Sequence, residues 1–240
     1  MKTKIIATDK AHLKSLIQEE IKLNGDTSDL NHIDVSKIKS MRFLFQESTF
    51  NGDISQWDVS NVQDMGWMFK SSKFNGDISR WDVSSALDMR GIFNNSIFNQ
   101  CISSWDVSNV INMNAIFYYS QFNQDISSWN VSKVTDMGWM FARSRFNQNI
   151  SNWNVSNVTD MKGMFFESVF TQNLDDWTPK KLKNKDTAFK ESPLEKCNNL
   201  PYWASLNIEL LERAIESYWL QKHLNKNLKC VPTKEPIIKI

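Results

Sequence analysis

Residues 53–76 read DISQWDVSNVQDMGWMFKSSKFNG, and the phrase restarts at Asp77, Cys101, Asp125 and Asn149 without insertion or deletion. Its tryptophan therefore recurs every 24 residues, as Trp57, Trp81, Trp105, Trp129, Trp153 and Trp177. A unit this short cannot bury its own apolar face, so the units must stack, and the unbroken period predicts a repeat protein. A degenerate unit starts at Asn173, keeping Trp177, Leu182, Phe189 and Ser192 in register. Another starts at Asp29, where Ile33 takes the tryptophan position before Val35, Ile38, Met41, Leu44 and Phe45. Seven units thus cover residues 29–196, with residues 1–28 as an N-terminal cap and 197–240 as a C-terminal helical cap and tail.

Two periods coexist inside one unit. Trp57 and Val59 stand two apart, as a short strand requires, whereas Val62, Met65, Met68 and Phe69 follow the steps of a short helix. Ser60 or Asn61 offers a helix N-cap, and Asp64 places a carboxylate in the first turn, where the helix dipole favours it. Phe74 and Asn75-Gly76 then turn the chain back. The reading is an α/β repeat solenoid, a right-handed stack of about seven strand-turn-helix units between helical caps. Its core is columns of like residues: tryptophan on tryptophan, methionine on methionine, phenylalanine on phenylalanine. Ser72, Ser96, Ser120, Ser144 and Ser168 recur just past each helix, where a hydroxyl is expected to bond a free carbonyl.

The phrase F-N-x-D-I-S-x-W-D-V-S-N-V-x-D-M-x-x-M-F, running from Phe50 to Phe69 and again in later units, resembles the BspA-like leucine-rich repeat family, the DUF285 type. The resemblance covers the repeats and implies a leucine-rich-repeat-like solenoid with a role in protein binding. For many members it also implies a bacterial surface location.

The caps are readable too. Lys4-Ile5-Ile6-Ala7 suits a short strand, and Thr8 or Asp9 caps a helix to about Leu23 with Leu13, Leu16, Ile17 and Ile21 on one side and Asn24-Gly25 as the stop. A second helix is expected from about Leu206 to Leu224, with Leu210, Leu211, Ala214, Ile215, Tyr218 and Trp219 on its apolar face, followed by an extended tail over residues 231–240.

A net charge of +1 gives no electrostatic argument for nucleic acid or an anionic membrane. Residues 53–172 carry 8 basic and 11 acidic side chains, and residues 173–240 carry 12 and 9, so the basic character gathers at the C-terminal end. Its densest stretch, Lys180 to Lys185, reads as a solvated loop. The opening residues hold only Ile5-Ile6-Ala7 as an apolar run, too short for a signal-peptide core. Cys101, Cys197 and Cys230 are odd in number and scattered, as free thiols in a reducing compartment would be. The expected location is the cytoplasm.

No nucleophile-base pair, phosphate loop or metal-ligand spacing stands out. His12, His32 and His223 lie in the caps or the first unit, away from any cysteine or acid at ligand spacing. The column Asp58, Asp82, Asp106 continues as Asn130, Asn154 and Thr178, so turn roles explain it better than a cation. No enzyme activity, cofactor or metal is expected.

The informative positions are those that change from unit to unit while the core stays fixed. On the outer side of the expected helix, Trp67 and Trp139 occupy a position held elsewhere by Gly91, Ala115 and Gly163. With Tyr118, Phe166, Arg90 and Arg143 they form an expected convex strip of partner-binding residues, rich in the types enriched at hot spots. The competing reading lays the same aromatics flat between neighbouring helices. Gln56, Arg80, Ser104, Ser128, Asn152 and Asp176 vary on the strand side but are small and polar. The expected function is a non-catalytic protein–protein interaction module whose partner is another protein. Its most specific form is an immunity protein or inhibitor of a cognate bacterial toxin. The alternative is a bacterial surface adhesin of the BspA type.

Overall fold

The computed structural model describes residues 3–229, with side chains at all of these except 210 and 223–229. The expected tail over 231–240 and Cys230 lie outside these residues, as do the side chains of Leu210, His223 and Leu224. Strand β1, Ile5–Ile6, pairs in parallel with β2, Ile33–Asp34, which belongs to the first coil. Helix α1, Lys10–Asn24, follows; the Asp9 carboxylate accepts the His12 N–H at 2.9 Å, and Gly25 at φ 82° ends it. Leu13 and Ile17 are buried against the first coil, and Leu16 and Ile21 are partly buried beside them.

The coils stack in register. Single-residue parallel bridges join Ser40 to Asp64, then Asp88, Asn112, Asp136, Asp160 and Asn184, each step being one unit of sequence. The local conformation differs from the sequence reading: Ile54–Val59 is not a strand, and Val62–Phe69 is not a helix but a chain of tight turns. From Met65 to Ser72 the N–H groups alternate in direction. Those of Met65, Trp67, Phe69 and Ser71 donate to Asp88, Arg90, Ile92 and Asn94 of the next coil at 2.9, 2.8, 2.9 and 2.8 Å. Those of Met68, Lys70 and Ser72 each close a turn on the carbonyl three residues back, all at 3.2 Å. A regular helix would spend every N–H beyond its first four internally. This arrangement divides them between turn and neighbour and still points every third or fourth side chain inward.

The alternation needs left-handed backbone twice per coil. One column is Phe43, Trp67, Gly91, Ala115, Trp139, Gly163 and Thr187; the other is Glu47, Ser71, Asn95, Tyr119, Arg143, Glu167 and Glu191, all at φ between 48° and 61°. For a non-glycine residue that conformation costs ~1–2 kcal/mol, so it persists only where the ladder over-determines it.

The core is one continuous cluster of columns. Their spacing changes around the coil. Phe45, Phe69, Phe93, Phe117, Phe141, Phe165 and Phe189, next to the ladder, stack at 5.4–5.9 Å between centroids. Phe50, Phe74, Phe98, Phe122, Phe146 and Phe170 stack at 6.3 Å, and Trp57 on Trp81 at 6.4 Å. Hydrogen-bonded rungs lie only ~4.8 Å apart. The coils therefore fan open from the ladder toward the tryptophans.

The hydrogen bonds follow that fan. From Phe74 to Val83, and in the equivalent stretches of later coils, no backbone–backbone bond joins one described coil to the next. Side chains span the wider gap. Asn51, Asn75, Asn99, Asn123 and Asn147 each accept, through Oδ1, the N–H of the residue one unit on, always at 2.8 Å. Each indole of the column donates to the carbonyl 27 residues earlier, for example Trp129 Nε1 to Ile102 at 3.1 Å. Removing one bridge leaves a half-buried N–H unpaired, so Asn99→Ala is expected to lower stability by about 1–2 kcal/mol in urea unfolding, with Asn99→Asp losing less. A neutral result for Asn99→Ala would show the ladder to be incidental.

The recurrent serines are buried and do more than cap a carbonyl. Ser72, Ser96, Ser120, Ser144 and Ser168 accept the N–H two residues on, and Ser144 Oγ also donates to the Phe141 carbonyl at 2.8 Å.

The tryptophan column runs one member further than the 24-residue spacing shows. Trp203 stacks on Trp177 at 6.1 Å and donates to the Leu174 carbonyl at 3.1 Å, although 26 residues separate the two rings. It sits in a cap built from α2 (Pro193–Lys196), single 3-10 turns at Tyr202–Ala204 and Ile208–Leu210, and α3 (Leu211–Lys229). Leu211 and Ile215 of α3 are buried, Trp219 packs against the core, and Tyr218 stacks on Tyr202 at 3.8 Å. The helix expected from about Leu206 thus begins at Leu211, after the second 3-10 turn.

Candidate interaction surface

Along the ladder the positions of Trp67, Lys70 and Ser71 are not fully buried, and that face collects the variation in large and charged side chains. Across it stand the columns containing Leu87, Arg90, Trp67, Tyr118 and Tyr119. This face lies on the side where the columns are more closely spaced. The expected strip is therefore carried by the backbone ladder and not by an outer helix.

The structure gathers four of the six candidate residues. The Trp139 ring meets Tyr118 edge-on at 6.4 Å and Phe166 at 5.7 Å. The Arg143 guanidinium lies 5.6 Å from the Phe166 ring and grips Glu167 with two bonds, Nε at 3.0 Å and Nη2 at 3.2 Å. That carboxylate pushes the arginine's pKa up. Tyr119, next in the left-handed column, completes the cluster and is 55% exposed. Trp67 and Arg90 stand apart from it. Arg90 Nε pairs with Asp88 at 2.7 Å, and the Lys70 ammonium lies 5.5 Å from the Trp67 ring.

Both tryptophans lie across the following coil. A Cβ built on Gly91 would fall 2.0 Å from the Trp67 ring, and one on Gly163 would fall 2.6 Å from the Trp139 ring. Trp67 and Trp139 are half-buried and owe their place to a glycine one unit on. Packing thus accounts for much of these two indoles, whereas Tyr119 and Arg143 face solvent. Leu87 and Ile111, 42% and 46% exposed, add an apolar pair one unit apart at the edge of the same face.

The polar columns elsewhere are used by the fold. Asp58, Asp82, Asp106, Asn130 and Asn154 each accept the N–H two residues on, holding a turn. Asp106 is held below its ordinary pKa by the Ser108 hydroxyl and then the Ser108 N–H. Ser104, Ser128 and Asn152, expected to vary on a binding face, donate to carbonyls of the preceding coil at 2.7, 2.8 and 2.9 Å on the wide side. His12 sits in the first turn of α1, and His32 places Nε2 3.1 Å from the Glu20 carboxylate between α1 and the first coil. Among the described residues no group of three or more histidines, cysteines or acids is arranged to hold a metal. Cys101 and Cys197 are exposed free thiols. No helix of the described residues is long and apolar enough to cross a membrane.

No curated protein and no solved structure matches this chain. A family model described as "Mycoplasma protein of unknown function, DUF285" does, over residues 11–121 and again over residues 95–203. The two matches together run from α1 to Trp203 and so take in all seven units. This is a repeat protein, and it belongs to the DUF285 family.

Proposed function

We propose that the chain is a non-catalytic protein-binding module, a leucine-rich-repeat-like solenoid that holds another protein against its ladder face. The observation that carries this reading is the contrast between columns. Core positions repeat almost without change, while the outward ladder positions change in every unit and gather Tyr118, Tyr119, Trp139, Arg143 and Phe166 in one place. Exposed tyrosine and arginine on a rigid backbone contribute contact area at small entropic cost. In its most specific form the module is a cytoplasmic immunity protein or inhibitor of a cognate toxin; two exposed thiols, Cys101 and Cys197, suit a reducing compartment.

The test starts with the partner that co-purifies from lysate of the source cells, identified by mass spectrometry and then purified. Calorimetry compares its affinity for the wild type and for Tyr119→Ala/Arg143→Gln, which adds no carboxylate beside Glu167. The double variant is expected to bind at least about ten-fold more weakly, a loss of about 1.4 kcal/mol or more, at an unchanged Tm. Equal affinity would remove the ladder face from consideration. A toxin as partner would support the inhibitor form, and a host matrix protein would favour an adhesin.

A further inference from the structure

The ladder has a direction. Each coil donates its alternate N–H groups to the coil after it, so the last coil has donors with nothing beyond them. Met161, Gly163, Phe165 and Glu167 donate to Asn184, Asp186, Ala188 and Lys190 at 2.8, 2.9, 2.7 and 2.9 Å. The equivalent donors of the last coil are Lys185, Thr187, Phe189 and Glu191. Glu191 N–H is taken by the Glu195 carboxylate at 2.7 Å, whereas those of Lys185, Thr187 and Phe189 find no acceptor among the described residues. Backbone donors at a sheet-like edge are ordinarily paired, covered or guarded.

The C-terminal cap meets this edge only in part: Trp203 packs 5.6 Å from the Phe189 ring, and the Lys185 ammonium donates to the Ala204 carbonyl. Beside these contacts a cavity of about 480 Å³ remains, lined by Lys185, Thr187, Phe189, Glu195, Leu200 and Ala204. Its size suits a short segment of chain, not a folded domain. Residues 180–196 contain six lysines against Asp186, Glu191 and Glu195; Glu191 and Glu195 line the cavity beside Lys185 and Lys190, and Lys180 lies 3.9 Å from Glu216. Lys196 lies 3.3 Å from Glu191, and Lys181 bonds Asn157, while Lys183 and Lys190 are exposed and meet no carboxylate among the described residues.

We propose that this slot takes an acidic peptide segment of a partner protein, added to the last coil as an eighth rung. Alternate carbonyls of the segment accept from Lys185, Thr187 and Phe189, its carboxylates face Lys183 and Lys190, and small apolar side chains pack toward Leu200 and Ala204. Main-chain bonds supply affinity and the lysines select charge, the mode of strand addition seen at exposed sheet edges. The three donors belong to none of the residues of the aromatic cluster around Trp139, although Lys190 lines a cavity with Phe166 and Glu167, so amide protection of Lys185, Thr187 and Phe189 is the readout that separates the two surfaces.

The experiment uses the full chain, hydrogen exchange by NMR, and two acetylated heptapeptides, Glu-Val-Glu-Val-Glu-Val-Glu and Lys-Val-Lys-Val-Lys-Val-Lys. Without peptide, the amides of Lys185, Thr187 and Phe189 should exchange fast while those of Met161, Gly163 and Phe165 are protected. The acidic peptide should slow those three last-coil amides about ten-fold or more, with binding that weakens as salt rises. Lys183→Glu/Lys190→Glu alters only exposed side chains; it should keep the wild-type Tm and lose about ten-fold in affinity for the acidic peptide. The proposal is overturned if millimolar acidic peptide leaves those amides unprotected, or if protection appears elsewhere. Equal binding of the lysine peptide, or tighter binding of a single-stranded oligonucleotide, would overturn it as well.

Discussion

Gly91→Ala should destabilise the protein by about 2–4 kcal/mol, and combining it with Trp67→Ala should restore much of the loss. The Cβ would enter 2.0 Å from Cε3 of Trp67 and 2.2 Å from Cζ3, so the indole has to leave its seat. Overpacking of that kind costs ~1–3 kcal/mol, and alanine at φ 60° adds ~1 kcal/mol of backbone strain. The protein contains its own control. Ala115 occupies the same column at φ 54° and is accommodated, because the residue one unit before it is Gly91 and no ring lies across it. A four-protein cycle in urea is expected to show a coupling of about 1–3 kcal/mol between positions 67 and 91. Strict additivity would mean that the ring and the glycine do not share space.

Trp129→Ala is expected to cost about 3–5 kcal/mol, the usual range for emptying a large aromatic site. Trp129 is 3% exposed, its ring lies 6.2 Å from Phe117, and its indole N–H is held by the Ile102 carbonyl at 3.1 Å. Trp129→Phe keeps a ring but leaves that carbonyl without its donor, and should lose about 1–3 kcal/mol. The site lies in the middle of the stack. In a repeat protein, stability is close to a sum of units and their interfaces. Loss there should therefore separate the two halves, and the unfolding curve of Trp129→Ala should broaden or split. A shift under about 1 kcal/mol with an unchanged slope would contradict a continuous core.

Register and core were legible because identical side chains recur at identical spacing, and the same regularity hid the local conformation. Val62, Met65, Met68 and Phe69 satisfy a helix and a chain of three-residue turns equally well, since both return a side chain inward every third or fourth residue. What separates the two is left-handed backbone, and glycine marks it in the Trp67 column only at Gly91 and Gly163. Trp67, Ala115 and Trp139 disguise the rest. The N-terminal cap had no such ambiguity, because Asp9 and Gly25 are strong punctuation at either end of a helix. Trp203 escaped because two extra residues shift it out of step, although Leu200 stands three before it as Leu174 stands before Trp177. At the surface, Tyr118, Trp139, Arg143 and Phe166 were picked as variable and do cluster. Tyr119, the most exposed of the group, stands in the same left-handed column as Arg143 and varies as that column does, so unit-to-unit comparison marks it equally well.

The uneven spacing of the columns has a further consequence. If every junction between coils opens by a similar wedge, the stack is an arc, and its curl is proportional to the number of units. Length and curvature of the ladder face cannot then be chosen independently. Seven coils subtend one angle and present a hollow of one radius, so duplicating or deleting a unit would change which rounded surfaces can seat in it, even with every side chain on the remaining coils unchanged.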